Sequence, residues 1–181
     1  MASGSSKAPG GGSGVDRNRG AAAAAGEYLA FVGADTVVRP DYLAAMTSFV
    51  ERRDLAGATS RFRFHDAGSP RPRFVRRVAD ACSDRVRNPC LPGFNAVVSA
   101  DDFCAVGGFP DAPNEDVGLS ERLGERGPTA VHPAPLVVTS ARRIERLGLV
   151  GVAAHYLHEE LRRRGGRRPT ITAPNPRRND D

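Results

Sequence analysis

Along this chain, short apolar runs alternate with apolar residues at helical spacing. Tyr28-Leu29-Ala30-Phe31-Val32 is an unbroken apolar run. Its length suits a strand buried on both faces, the kind found in the parallel part of an α/β sheet. The Ala-rich residues 19–25 before it have high helix propensity and stop at Gly26. Gly33-Ala34-Asp35-Thr36 follows as a loop, and Pro40 sits at the first turn of a predicted helix. In that helix Leu43, Met46, Phe49 and Val50 recur at intervals of three or four, so strand, loop and helix together read as a crossover unit.

The alternation continues downstream. Residues 57–64 read as a second strand with Ala58, Phe62 and Phe64 at even spacing, and residues 68–72 as a loop. Phe74, Val75, Val78 and Cys82 form a weaker helical stripe. A third strand over residues 94–98 runs into Ser99, which is placed to cap a helix over residues 100–106 that Gly107-Gly108-Phe109-Pro110 ends. Two acids open a helix over residues 115–126, and Leu136-Val137-Val138 reads as the last strand. Leu147, Val150, Ala154, Leu157 and Leu161 mark one face of a long helix over residues 144–164. Residues 1–14 are Gly/Ser-rich and read as flexible, and the polar, proline-containing residues 165–181 read as a disordered tail.

Composition narrows the class. The 181 residues are 40% hydrophobic and 26% charged, enough for one domain with a core. Mean hydropathy is −0.38. The longest apolar candidate, residues 21–32, is interrupted by Gly26 and Glu27, which excludes a membrane-spanning helix there. The opening residues lack a basic segment followed by an apolar one, so no signal peptide is read and a cytoplasmic location is expected. Cys82, Cys90 and Cys104 are odd in number without C-x-x-C spacing, and read as reduced thiols.

The net charge of +5 is unevenly placed. Residues 1–141 hold 16 basic and 16 acidic side chains, whereas residues 142–181 hold 10 arginines against 5 acids. The core therefore reads as neutral, with anion affinity confined to the tail. Because 25 of the 26 basic residues are arginine, a single arginine carries little weight. Aromatics make up 6% with no Trp, so stacking platforms are scarce and no nucleic-acid partner is expected. The stripe from Leu147 to Leu161 followed by Arg162-Arg163-Arg164 has two readings. It packs on the sheet with the arginines in solvent, or it makes a peripheral contact with an anionic inner membrane face.

Three constellations could carry chemistry. Asp35 lies just past the carboxyl end of a strand, where a carboxylate can hold a divalent cation beside a pyrophosphate. An ordinary turn aspartate bonding its own backbone accounts for it equally well. Glu115-Asp116 lies where a loop becomes a helix, a position that allows a general base toward a hydroxyl and that the helix dipole also favours for structural reasons alone. Ser140-Ala141-Arg142-Arg143 follows the last strand, where a guanidinium could clamp a phosphate, or where the basic tail simply begins. His65, His132, His155 and His158 have no metal spacing.

Taken in order, these pieces resemble one family. The carriers are Arg17-Asn18-Arg19-Gly20, Gly26-Glu27-Tyr28-Leu29-Ala30-Phe31-Val32-x-x-Asp35, Phe94-Asn95-Ala96, Phe103-x-x-Val106-Gly107-Gly108-Phe109, Glu115-Asp116-x-x-Leu119-x-x-Arg122-Leu123 and Ser140-x-Arg142-Arg143. This series is similar to the family-2 glycosyltransferases of the GT-A fold over residues 17–164, and its order is more specific than any one motif. The resemblance implies an α/β fold, a GT-A-like mixed sheet flanked by helices, as a partial domain over residues 15–164. It also implies transfer of a sugar from a nucleotide-sugar donor to an acceptor hydroxyl with inversion, the acceptor being a glycan or lipid-linked.

By resemblance, Asp35 is the last carboxylate of a D-x-D motif that holds Mg²⁺ or Mn²⁺ and the donor diphosphate. Asp116, with Glu115, supplies the catalytic base. Arg142 or Arg143 lies near the diphosphate, and Arg17 is a candidate nucleotide contact. Two departures stand out: Gly33 occupies the first aspartate position, and the chain enters the pattern at the helix before the motif, lacking the first nucleotide-binding strands. A sheet without those strands exposes an edge and apolar surface. The resemblance is thus compatible with a catalytically impaired remnant or a binding module without turnover.

Overall fold

Five strands form one mixed sheet, in the order Tyr28–Val32, Asn95–Ser99, Gly57–Phe64, Thr129–Thr139 and Thr36–Val38, in the computed structural model, which describes residues 13–148 except 66, 67, 84, 85 and 143. Helix α1 (Ser13–Ala23) leads into β1 (Tyr28–Val32), then β2 (Thr36–Val38), α2 (Tyr42–Arg53) and β3 (Gly57–Phe64). Helix α3 (Arg71–Ser83), β4 (Asn95–Ser99), α4 (Ala100–Ala105), α5 (Glu115–Arg126) and β5 (Thr129–Thr139) complete the order. β4 runs antiparallel to both β1 and β3, and β3 runs parallel to β5, so β1, β3 and β5 point the same way. Their carboxyl ends make one edge of the sheet.

The core has two sides. On one, Leu29, Phe31, Ala96 and Val98 pack against Phe103 of α4, Leu119 and Leu123 of α5 and Ala21 of α1. Phe31, Phe103 and Phe109 form an aromatic cluster there, with ring centroids 4.9 to 5.7 Å apart. On the other, Ala58, Val97, Leu136 and Val137 pack against Tyr42, Met46, Phe49 and Val50 of α2. Neighbours along β4 alternate between the two sides, as the two-residue period of a strand requires.

Several expectations hold at the residue level. β1, β3 and α5 have the expected bounds, and the Ser99 hydroxyl accepts from the Asp102 N–H at 3.4 Å as the cap of α4. Gly107 and Gly108 end that segment at φ of 77° and 68°, a region closed to most side chains. Among the described residues, no helix is long and apolar enough to cross a membrane.

Other expectations need correction. β1 is not doubly buried in a parallel region. It lies at the sheet edge, antiparallel to β4, with Leu29 and Phe31 buried and Ala30 and Val32 exposed. A five-residue apolar run does not say how many sides a strand covers. In α2 the buried stripe is Tyr42, Met46, Phe49 and Val50, and Leu43 is 58% exposed, because the helix is rotated to place the Tyr42 hydroxyl on a buried polar partner. Phe74 and Val78 of α3 are exposed rather than buried.

β5 is far longer than its last three apolar residues, and β2 begins at Thr36, the last residue of the expected loop. Pro133 and Pro135 hid the strand, since proline removes a ladder donor. The ladder absorbs them by a shift in register: Ser60 lies opposite His132, but Arg61 lies opposite Pro135 and Phe62 opposite Val137. Helix α1 begins at Ser13, inside the segment read as flexible. The expected long helix over residues 144–164, the expected tail and the membrane contact read from them lie almost wholly outside the described residues, as does Arg143.

Candidate active site

The carboxyl end of β1 turns tightly at Gly33, where the Thr36 N–H donates to the Gly33 carbonyl at 3.0 Å. The Thr36 hydroxyl lies 3.0 Å from that of Thr139 and ties the turn to the end of β5. Asp35 is thereby held outward at the sheet edge, its side chain 48% exposed. Arg142 reaches it from beyond β5, with Nη2 3.5 Å from Asp35 Oδ2 and Nε 3.1 Å from the Ser140 hydroxyl. Two of the residues singled out in the sequence therefore meet, although 107 positions separate them.

The acidic pair opens α5, and its two members live in different surroundings. Glu115 accepts from Arg17 Nη1 at 2.5 Å and from the Ser13 hydroxyl. Burial pushes its carboxyl up, but the bonds from Ser13, its own backbone and Arg17, with the Arg17 charge, hold it below the usual range. Asp116 goes the other way. Burial first, then the neighbouring Glu115 charge, raise it above the ordinary value, against backbone N–H donors at Gly93 and Val117 and the Arg17 charge. Those donors lie 3.5 Å from Oδ2 and 2.9 Å from Oδ1. The two neighbouring acids are thus driven apart in proton affinity.

The loop before β4 joins the two motifs. Gly93 donates its N–H to Asp116, while the carbonyl of the next residue, Phe94, accepts from the Gly33 N–H at 3.2 Å. Ser120, buried on α5, fixes this loop by accepting from the Leu91 N–H at 2.8 Å. The turn that presents Asp35 and the Glu115-Asp116 pair thus converge at one end of the sheet. Arg17 is placed against Glu115 and over the Phe109 ring, 5.3 Å from its centroid.

Two motif residues turn out to be structural. Asn18 brackets the Phe109 backbone, donating to its carbonyl at 2.8 Å and accepting from its N–H at 2.9 Å. Asn95, fully buried, accepts from the Tyr42 and Ser60 hydroxyls and donates to the Ser60 carbonyl. Sequence reasoning assigned neither a role. An asparagine inside an apolar strand is the signal that marks Asn95, because a buried amide has to be hydrogen-bonded.

The donor set for a metal is sparse. No group of three His, Cys, Asp or Glu side chains suited to a cation occurs among the described residues. At Gly33 an added Cβ meets the Phe94 Cβ and Thr36 Oγ1, both at 2.9 Å, so a side chain there requires its neighbours to shift. Asp35 offers one carboxylate, already approached by Arg142 Nη2 at 3.5 Å, whereas an ion of the Mg²⁺ type binds through one or two carboxylates and takes its other ligands from substrate phosphates and water.

Comparison with known proteins gives the family and the fold. The family model described as Glycosyl transferase family 2 matches residues 7–104, more than half of the chain. No curated protein sequence matches. Among solved structures, the chain is similar to the mannosyltransferase PcManGT from Pyrobaculum calidifontis, in complex with GDP-Man and Mn²⁺. That match has 20% identity and a TM-score of 0.58, over 91% of this chain and 47% of that one. Glucosyl-3-phosphoglycerate synthase from Mycobacterium tuberculosis, in complex with Mn²⁺, UDP and glucosyl-3-phosphoglycerate, matches at 20% identity and a TM-score of 0.53. Here 85% of this chain covers 55% of that one. For S. aureus TarS the values are 15% identity and 0.53, over 83% of this chain and 29% of that one. The chain therefore spans about half the length of the first two structures, and its mixed sheet flanked by helices is the GT-A fold. With the family model matched over residues 7–104, more than half of its length, this chain belongs to glycosyl transferase family 2.

Proposed function

We propose that the chain carries the sugar-transfer site of an inverting glycosyltransferase that uses a nucleotide-sugar donor. The observation that supports this most is the pair of contacts made by consecutive residues: Gly93 touches Asp116, and Phe94 touches the turn that presents Asp35. A base and a diphosphate end are thereby brought to one edge, at the carboxyl ends of parallel strands, where ligands bind in open α/β sheets.

In this reading Asp116 takes the proton of the acceptor hydroxyl. The freed oxygen forms a bond to the anomeric carbon while the bond from that carbon to the diphosphate oxygen breaks on the opposite face, which inverts the centre. Arg142 meets the charge on the departing nucleoside diphosphate. A divalent ion arriving with the donor would be held by Asp35 and would neutralise the same charge. Glu115, occupied by Arg17 and Ser13, orients the pair. The raised proton affinity of Asp116 suits a base, since proton transfer is most efficient when the catalytic group lies near the working pH.

The test is calorimetry of the full chain with UDP-glucose and GDP-mannose in Mg²⁺ or Mn²⁺, followed by turnover measurements on an acceptor panel. Donor binding that survives Asp116→Asn, with turnover lowered by about 10²- to 10⁴-fold, is the expected result. Absence of donor binding, or an Asp116→Asn variant as fast as the parent, overturns the reading. The crowding at Gly33 favours a second reading, a binding module without turnover, which donor affinity with no product from any acceptor would support.

A further inference from the structure

Beside β3, on the α3 side, the protein has a cavity of about 630 Å³ that the sugar-transfer reading does not use. Arg61 and Arg63 line it from the outer half of β3, Arg73 and Arg76 from α3, with Asp80 as the one carboxylate among the lining residues. Asp80 is already committed: Arg76 Nη1 lies 2.8 Å from it and Arg61 Nε 3.9 Å. Arg63 and Arg73 have no acidic partner among the described residues, and both are exposed. Phe64, Pro133 and Pro135 supply an apolar wall. The size falls within the range of small-molecule sites.

The neutral sum over residues 1–141 therefore conceals a local gathering of arginines. Guanidinium groups gathered around one wall match the planar, bidentate geometry of phosphate oxygens. Location adds to this. Phe64 lies opposite Thr139, and Thr139 lies opposite Thr36, next to Asp35. Two strand spacings, about 10 Å, thus separate the cavity from the Asp35 turn at the same sheet edge.

We propose that this cavity binds the phosphate ester of the sugar acceptor, so that the transferase acts on a phosphorylated hydroxyl compound. The proposal rests on the glycosyltransferase reading only for the word acceptor; the phosphate site stands on Arg63, Arg73 and their neighbours. A free phosphorylated metabolite and the phosphate of a lipid headgroup share this chemistry.

The test uses the full chain. Glycerol 3-phosphate, with glycerol as control, is titrated by calorimetry. Vesicles containing phosphatidylglycerol, against phosphatidylcholine alone, are assayed by flotation. Arg63→Gln/Arg73→Gln is expected to weaken binding of whichever phosphate source is recognised at least tenfold, Arg63→Lys/Arg73→Lys to retain most of it, and UDP-glucose or GDP-mannose affinity to stay unchanged. Saturable binding of glycerol 3-phosphate that depends on these arginines assigns the soluble source, and arginine-dependent flotation without it assigns the lipid source. Phosphate binding indifferent to the Gln pair, or no binding in either arm, overturns the proposal. Arginine-dependent phosphate binding without donor binding overturns the glycosyltransferase reading and leaves the phosphate site standing.

Discussion

Arg17 and Glu115 form an ion pair at 2.5 Å across 98 residues of sequence, and that pair fastens the first helix to the start of α5. Its consequence is electrostatic as well as structural. One member of the acidic pair is neutralised by a cation, and the other, Asp116, is left with backbone donors and a raised proton affinity.

Arg17→Ala is expected to cost about 1–2 kcal/mol in urea unfolding, because it leaves a partly buried carboxylate short of its charged donor. The exposed pair Arg39–Asp41, with both side chains more than half accessible, serves as the contrast. There Arg39→Ala should leave the unfolding midpoint nearly unchanged, because solvent screens an exposed pair.

The two acids should respond to pH with opposite signs. Glu115 is held below its ordinary value of 4.5, so its contribution is full above that pH and is lost as pH falls through the folded value. Asp116 is held above its ordinary value of 3.8, so it favours the folded state below that pH and loses this advantage as pH rises. Unfolding free energy measured from pH 3 to 7 should show Glu115→Gln with a flatter acid limb, and Asp116→Asn more stable than the parent at neutral pH. Equal profiles for both variants would contradict the assignment.

Gly33→Asp, which completes the D-x-D pattern, is expected to destabilise the chain and not to tighten Mn²⁺ binding. A Cβ at that position meets the Phe94 Cβ and Thr36 Oγ1 at 2.9 Å, an overpacking contact worth about 1–3 kcal/mol. Gly33→Ala should show the same loss of melting temperature, and a neutral outcome for both would mean that the turn relaxes freely.

Asn95→Ala removes one end of a buried network that holds Tyr42, Ser60 and β4 together. A loss of roughly 2–4 kcal/mol is expected, since hydroxyls and a carbonyl are left without partners. Tyr42→Phe, which removes a single hydroxyl, should cost about 1 kcal/mol in the same assay.

Arg142→Gln is expected to leave stability within about 0.5 kcal/mol, because its contact with Asp35 is 3.5 Å long and exposed. Nucleoside diphosphate affinity, read by calorimetry, should fall about tenfold or more, the equivalent of one charge-assisted bond. A change in stability without a change in affinity would make the residue structural.

Local signals in the sequence were sound where the physics is local. The apolar run of β1, the Ser99 cap and the two acids opening α5 each depend on neighbours within four residues, and each lies where the pattern puts it. The strand β5 was legible only at its end, since whether Pro133 and Pro135 interrupt a strand depends on the partner, and β3 shifts its register to accept them. Arginines at 61 and 63 share a strand face and those at 73 and 76 lie one helical turn apart, a spacing that was available as a signal but lost among 25 arginines.

What the sequence determined by itself was the order of the elements other than β2 and the residue types of the candidate site, because periodicity, caps and turn residues act over a few positions. The tertiary structure decided the rest: that β1 lies at an edge, that Gly93 and Phe94 bring Asp116 and the Asp35 turn to one end of the sheet, and that four arginines share one cavity. Each of these depends on strand pairing and packing between segments tens of residues apart, and such pairings are set by the free energy of the whole core rather than by any local pattern.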